Sequence, residues 1–433
     1  MAACAGKIEE AISLATKAGQ LITVGNQVLI ERAQTVGPGT INRNATKVYE
    51  CGNYFGVATV FDIPDLSWTL QSYDASAATE ALLTNTTATA HVPIDLAANI
   101  PIDVLGEFKK GRTDSAPYDV SQSIVTPYLT LESMSYKYGV SALAEQTATL
   151  KGDSIFYTPG SAYTQEFVGT NAINQSCAVT HEAYQYNGDV LTGTRYALGV
   201  SLSNGTRLRY GVDYTETVGT VTSGHATLTV VILAAVPSTE KIRICYSSNT
   251  VANYPQSVHT IDSIVKPAAI RGYQIEVYVG ALLTGSTGAD AVDPSKLWIS
   301  VQAVTADWKV TLDKNEEFGN TQVVSQDFDV PAVSGTIQIR PRNVAEMIQR
   351  ARQAGGVATA TEVAGALNTA TVPIVIRLTS PIDGSILKDL YIPDALLTVP
   401  PVSGAANKKL EYTFPFESNQ GFFYVVPEGL VQA

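Results

Sequence analysis

Residues 296–341, KLWISVQAVTADWKVTLDKNEEFGNTQVVSQDFDVPAVSGTIQIRP, constrain the fold most, because apolar and polar residues alternate with period two through much of the stretch. Trp308, Val310 and Leu312 fall on one side and Asp307, Lys309, Thr311 and Asp313 on the other, as in a strand with one packed and one wet face. The polar segment Lys314 to Asn320, with Gly319, joins this strand to a second extended run from Thr321 to Val330. Thr336, Gln338 and Arg340 then alternate with Ile337 and Ile339, and Pro341, which has no N–H to donate, stops the ladder. The stretch predicts a β-meander.

A helix is predicted immediately afterwards. Asn343 is placed to cap it, Glu346 stands three residues on as in a capping box, and Val344, Met347, Ile348 and Ala351 recur on one helical face. Arg350 and Arg352 suit the negative helix end, and Gly355-Gly356 supply the stop near Ala354. The unit is strands, one amphipathic flanking helix, and more strands.

At 433 residues the chain exceeds one compact core, and at roughly 100–200 residues per domain it divides into two or three. Hydrophobic residues make up 45% and charged residues only 16%, with 33 Gly, 20 Pro and 21 Tyr, which is the composition of a mainly β protein. So little charge suits a surface that is partly consumed in subunit contacts. The formal net charge of −12 argues against gripping nucleic acid by its phosphates, but an acidic wall suits a conduit that DNA must pass without sticking.

From the N-terminus, Ile8, Ala11, Ile12 and Ala15 predict a short amphipathic helix within an N-terminal arm over 1–45, and no signal-peptide core is present. The apolar run LTVVILAAV, Leu228 to Val236, falls short of the roughly 20 residues that span a bilayer, so no membrane segment is expected. Strands resume with Leu66, Trp68 and Leu70, a helical turn is placed within Ala75 to Leu83, and the acidic excess over 61–120 reads as surface. Texture changes near 181. Asn187-Gly188, Asn204-Gly205 and Ser223-Gly224 separate short apolar runs, which predicts a small β-sandwich inserted over 181–251. The main β domain is then 46–180 and 252–433. In it Val372, Ile374, Ile376 and Leu378 alternate, Pro381-Ile382-Asp383-Gly384 turns the chain, and Leu410, Tyr412, Phe414 and Phe416 alternate inward before Phe422 to Val426.

No phosphate-binding loop, nucleophile elbow or zinc helix occurs, so no catalytic residue, cofactor or metal is assigned. Cys177 and His181 have a ligand-like spacing without further ligands, and Cys4, Cys51, Cys177 and Cys245 are read as inert reduced side chains. Glu316, Glu317, Asp327 and Asp329, with Asp313, are candidates for a glycosidase pair or calcium cluster, but a charged solvated hairpin accounts for them more simply. The same hairpin is a candidate lining of a channel or of a contact between stacked rings.

VYECGNYFGVATVFDIPDLSWTL, TADWKVTLDKNEEFGN with VSQDFDVPAVSGTIQIRP, and KLEYTFPFES together resemble the tail tube (major tail) proteins of bacteriophages, particularly long-tailed phages of actinobacteria. The resemblance covers roughly 40–175 and 255–433, and the insert resembles the small immunoglobulin-like domains that phage virion proteins carry outward. It implies a β-sandwich with a flanking helix, hexameric rings stacked into a tube, and passage of DNA and the tape-measure protein through the bore. It also implies contact with other tail proteins, such as the tail terminator, and a place in the virion after synthesis in the host cytoplasm. A projecting insert would obstruct a close-fitting sheath, which favours a non-contractile tail. Competing readings are another virion component, of capsid, decoration or baseplate, and a glycan-binding or glycan-cleaving tail protein.

Overall fold

The computed structural model describes the chain except residues 1–7, 16–26, 30–32, 43–44, 49–57, 62–63, 75, 85, 87, 111–119, 159–160, 188–192, 249–269, 281, 285–289, 293–296, 299, 316–324, 341–370, 399–410 and 433. Over the described residues the protein is mainly β, a sandwich of antiparallel sheets, in agreement with the alternation of its sequence. The predicted flanking helix, with Asn343, Val344, Met347, Ile348 and Ala351, lies outside the described residues. Among the described residues the α-helix is Ala78–Leu83, inside the predicted turn, and it buries Glu80, Ala81, Leu82 and Leu83.

The largest sheet has 16 strands. Its main path runs through Gln27–Leu29, Ile8–Ala15, Ile102–Lys110, Val120–Gly139, Val301–Lys309, Ala332–Ile339, Tyr412–Ser418, Ile386–Leu397, Val372–Thr379 and Ile275–Val279. The predicted meander is corrected: Val301–Lys309 pairs directly with Ala332–Ile339, and Leu312–Asn315 with Ser325–Phe328 forms a sheet of its own. The apolar face is buried as the alternation predicts: Trp308, Val310, Val333, Ile337 and Ile339 join the core, where Ile337 pairs across to Phe414 and Trp308 to Met134. Burying each such side chain contributes roughly 1.5–3 kcal/mol, so the period-two pattern decides which face turns inward.

The N-terminal expectation is corrected. Ile8–Ala15 is a strand, paired antiparallel with Ile102–Lys110 from Ile8↔Lys110 to Leu14↔Val104. Over eight residues the helical and extended periods are hard to separate, since Ile12 and Leu14 also satisfy period two, and a partner strand decides between them.

The small domain is a second body of sheet with its own core, and it begins at Ser161 rather than 181. Ser161–Val168 pairs along its whole length with Lys241–Ser248, from Ser161↔Ser248 to Val168↔Lys241. A sheet containing these strands faces a three-stranded sheet of Gln175–Ala178, Leu228–Ile232 and Tyr214–Val218, around Tyr163, Cys177, Val200, Leu228, Val230, Ile242 and Ile244. The run LTVVILAAV is thus a core strand followed by a turn. The predicted turns at 204–205 and 223–224 are present, with Gly205, Ser223 and Gly224 at positive φ.

Val120–Gly139 runs through the main sheet and carries the contact with the small domain. Its first half pairs with Ile102–Lys110 and Phe156–Thr158, its second half with Glu145–Gly152 and Val301–Lys309. Between the halves, after Pro127, Tyr128 sits at φ 61, a left-handed conformation uncommon for a bulky residue. Tyr128 N–H donates to Asp103 Oδ1 at 3.0 Å, and its hydroxyl donates to the Gly205 carbonyl in the small domain. Beside it Arg207 of the small domain reaches Asp153 of the body at 2.6 Å, with both side chains buried. Val125, Ala162, Leu198 and Cys245 close an apolar seam next to this pair.

Candidate assembly surface

Leu312–Asn315 and Ser325–Phe328 form a two-stranded antiparallel ribbon that pairs with no third strand among the described residues. It carries the acidic residues singled out in the sequence. Asp313 and Asp327 are exposed and stand directly opposite in register, and Asp329 follows, also exposed. Glu316 and Glu317 lie outside the described residues. Like charges directly opposite each other destabilise a pair of strands. Here the Asn315 side-chain amide donates to Asp327 Oδ2 at 2.9 Å, and the aqueous exposure of both carboxylates screens what repulsion remains.

The ribbon is tethered at its base. Lys314 Nζ lies 2.9 Å from Asp65 Oδ1, and Lys151 lies 3.6 Å from the other oxygen of the same carboxylate. Burial opposes ionisation of Asp65, but the two lysines outweigh it and hold the carboxyl below its ordinary range. Where the ribbon leaves the body, Phe328, opposite Leu312, is 43% exposed, and Val330, just after the ribbon, is 78% exposed. An isolated two-stranded ribbon with exposed apolar residues at its root is marginal in water and gains most from a third surface.

The second feature is a set of charges in the core. Strand Ile386–Leu397 is buried on both faces, and successive side chains point to opposite sides, so Lys388 and Asp389 enter two different interiors. Asp389 receives the Arg377 guanidinium at 2.9 and 2.8 Å and the Leu430 N–H at 2.7 Å, while Arg377 also donates to the Leu430 carbonyl at 3.1 Å. Every strong donor there has an acceptor.

On the opposite face Lys388 Nζ lies 2.6 Å from Asp74 Oδ1 and 2.7 Å from Glu80 Oε1, with all three side chains fully buried. Tyr138 hydroxyl donates to Asp74 Oδ2 at 2.6 Å and Tyr136 hydroxyl to Glu80 Oε1 at 2.8 Å. With its amide nitrogen turned toward the acids, Gln146 donates to Asp74 Oδ1 at 3.2 Å and to Glu80 Oε1 at 3.3 Å. Glu80 Oε2 has no partner among the described residues. Burial, Lys388 and Glu80 together leave the Asp74 carboxyl raised to about 6. Burial works against the Lys388 ammonium, but the two carboxylates outweigh it and raise the lysine. Burial and the same carboxylates raise Tyr136 and Tyr138 far above the ordinary phenol value. The acidic stretch 61–120 is therefore not surface throughout: Asp74 and Glu80 face inward, and charge composition alone gives no facing. The available signal was Lys388-Asp389 set inside the apolar run Ile386, Leu387, Leu390, Tyr391, Ile392.

A shallow cleft of about 570 Å³ is lined by Pro93, Tyr391, Pro393, Asp394, Phe422 and Tyr424 among others. Phe422 and Tyr424 stack with centroids 6.1 Å apart, and Phe422 is partly exposed, whereas Tyr412, Phe414, Phe416 and Phe423 are buried in the core. Asp394 accepts from the Ser418 hydroxyl and the Gln420 N–H, each at 2.6 Å, so both its oxygens hold the 418–420 turn. Cys177 is buried and its thiol is pushed up to about 11, and His181 packs on Tyr163 at 4.6 Å. Cys245 is also buried and free, and Cys4 and Cys51 lie outside the described residues. Among the described residues no group of three or more His, Cys, Asp or Glu is placed to hold a metal ion, and no helix is long and apolar enough to cross a membrane.

No protein-family model matches the chain, and no curated protein matches it.

Proposed function

We propose that the chain is a structural virion protein that polymerises into stacked rings, six subunits to a ring, to form the tube of a phage tail. The observation that carries the reading is the tethered ribbon, Leu312–Asn315 with Ser325–Phe328. It has unpaired edges among the described residues, an acidic flank and exposed apolar residues where it joins the body. Its form suits docking onto a neighbouring subunit, where a third strand or an apolar pocket satisfies what water does not. The acidic residues Asp313, Asp327 and Asp329 then face a bore or a ring-to-ring contact, and with the net charge of −12 they let DNA pass without binding. The partners in this reading are further copies of the chain, the tape-measure and terminator proteins, and DNA in transit. The small domain projects from the tube, which favours a tail without a contractile sheath.

The aromatic cleft at Phe422 and Tyr424 supports a second reading, a glycan-binding tail protein, because sugar faces stack on exposed aromatic rings. With both oxygens of Asp394 engaged, the cleft suits binding better than acid-base cleavage.

Negative-stain electron microscopy of the purified chain at increasing concentration separates the two. Hollow rings or tubes of uniform bore are expected. Discrete particles without a bore, together with retention on cell-wall glycan, would favour the second reading.

A further inference from the structure

The cluster around Lys388 is poorly explained as an ion pair alone. One ammonium faces two carboxylates, so the fully ionised cluster carries a net negative charge in the core, a state that burial strongly disfavours. The neighbouring pair of Arg377 and Asp389 shows how this fold buries a balanced pair, one cation to one anion with each oxygen engaged. Around Lys388 the cation is instead an amine, which is a nucleophile once it loses a proton. It sits against the carboxyl carbon's own oxygen on one side and a second carboxylate on the other.

We propose that Lys388 and Asp74 condense to an internal amide cross-link, with Glu80 as the proton carrier. The cluster takes up one proton to reach neutrality, and Asp74 is the group whose acid form burial favours. Glu80 Oε1, 2.7 Å from Nζ, accepts a proton from the Lys388 ammonium. The resulting amine attacks the Asp74 carboxyl carbon, whose oxygens lie 2.6 Å from Nζ and 2.6 Å from the Tyr138 hydroxyl. The Tyr138 hydroxyl donates to the oxygen that gains charge as the tetrahedral centre forms. Glu80 takes the second amine proton in exchange for the one it carries, which goes to the departing hydroxyl. One C–N bond forms, one C–O bond breaks, and one water leaves. No oxidant, metal or cofactor enters the balance. Condensation is unfavourable in dilute water, but here the reacting groups are held in contact in a dry core, and the reverse reaction needs a water that the core excludes. The product replaces two buried charges with a neutral amide.

Intact-mass measurement of the denatured full chain tests this. The wild type is expected one water lighter than its sequence, and a protease digest is expected to yield a branched species joining the peptides that hold Asp74 and Lys388. Lys388→Arg keeps the cation, removes the nucleophile, and is expected at its full mass, which also controls for unrelated processing. Glu80→Gln keeps the shape and is expected to leave the chain unlinked. Asp74→Asn is expected to lose ammonia instead of water, since the leaving group changes with the side chain. A wild-type chain that is folded by circular dichroism and has its full sequence mass overturns the proposal, and so does a branch that maps to Glu80.

Discussion

Arg377 has almost no contact with water, so its charge is stabilised mainly by Asp389 and the Leu430 carbonyl, with the Tyr278 ring 5.6 Å from its guanidinium. Removing one partner of such a pair strands the other, and Arg377→Met is expected to lower stability by about 3–5 kcal/mol, read from the urea midpoint at unchanged slope. The loss would report the stranded carboxylate rather than a net gain from the pair. Asp383 is the opposite case, an exposed side chain in the turn that the sequence marks at 381–384. Hydrogen bonds from Ser380 and Ser385 favour its ionised form and lower its carboxyl from 3.8 to about 2. A depressed acid contributes stability above its unfolded value and loses it as the pH falls through the folded one, so the contribution fades between about 4 and about 2. Ser385→Ala is expected to move the Asp383 titration back toward 4, as followed by carboxyl NMR. The turn itself was legible because Pro and Gly act locally, whereas the facing of Arg377 depends on strands far away in sequence.

Strands were the legible elements. The facing of the strands at 301–309 and 332–339 is legible because Trp308, Ile337 and Ile339 each obey a two-residue period, and that period also sets their burial, while the order in which the strands pair is not. What local pattern did not show is how closely the strands approach. A Cβ on Gly335 would stand 2.2 Å from the Thr305 carbonyl oxygen and 2.3 Å from the Phe416 ring. Gly335→Ala is therefore expected to cost about 1–3 kcal/mol in overpacking, measured by thermal or urea unfolding. Ile8–Ala15 is not legible locally because its strand form is set by its partners Gln27–Leu29 and, far downstream, Ile102–Lys110, with Ile8 opposite Lys110. The acidic residues of the ribbon are visible in the composition, while its lack of a third strand among the described residues is visible only in the fold. Phe328→Asp with Val330→Asp is expected to leave the melting temperature within a few degrees of the wild type, because both side chains are exposed. The same pair is expected to shift assembly to monomer by light scattering. Unimpaired assembly would remove the ribbon from any role in it.

At the scale of the molecule, the sequence marks turns over 181–251, whereas the pairing of Ser161–Val168 with Lys241–Ser248 joins strands far apart in the chain. The small domain was noticed from its turns, and Ser161–Val168 has none, so its membership emerges only from pairing with Lys241–Ser248. The seam of Tyr128, Asp153 and Arg207 links residues from separate stretches and has no local signature. Through it the two bodies are expected to unfold in one transition by calorimetry. Arg207→Met leaves Asp153 without its buried cation and is expected to split that transition in two, with faster amide exchange in 161–248 than in the body. A domain on a slack linker would swing independently of its support. Tyr128 and the ion pair beside it give this one a fixed bearing, so if the chain polymerises as proposed, the small domains keep phase with the lattice and their density survives symmetric averaging as sharply as the rest of the subunit.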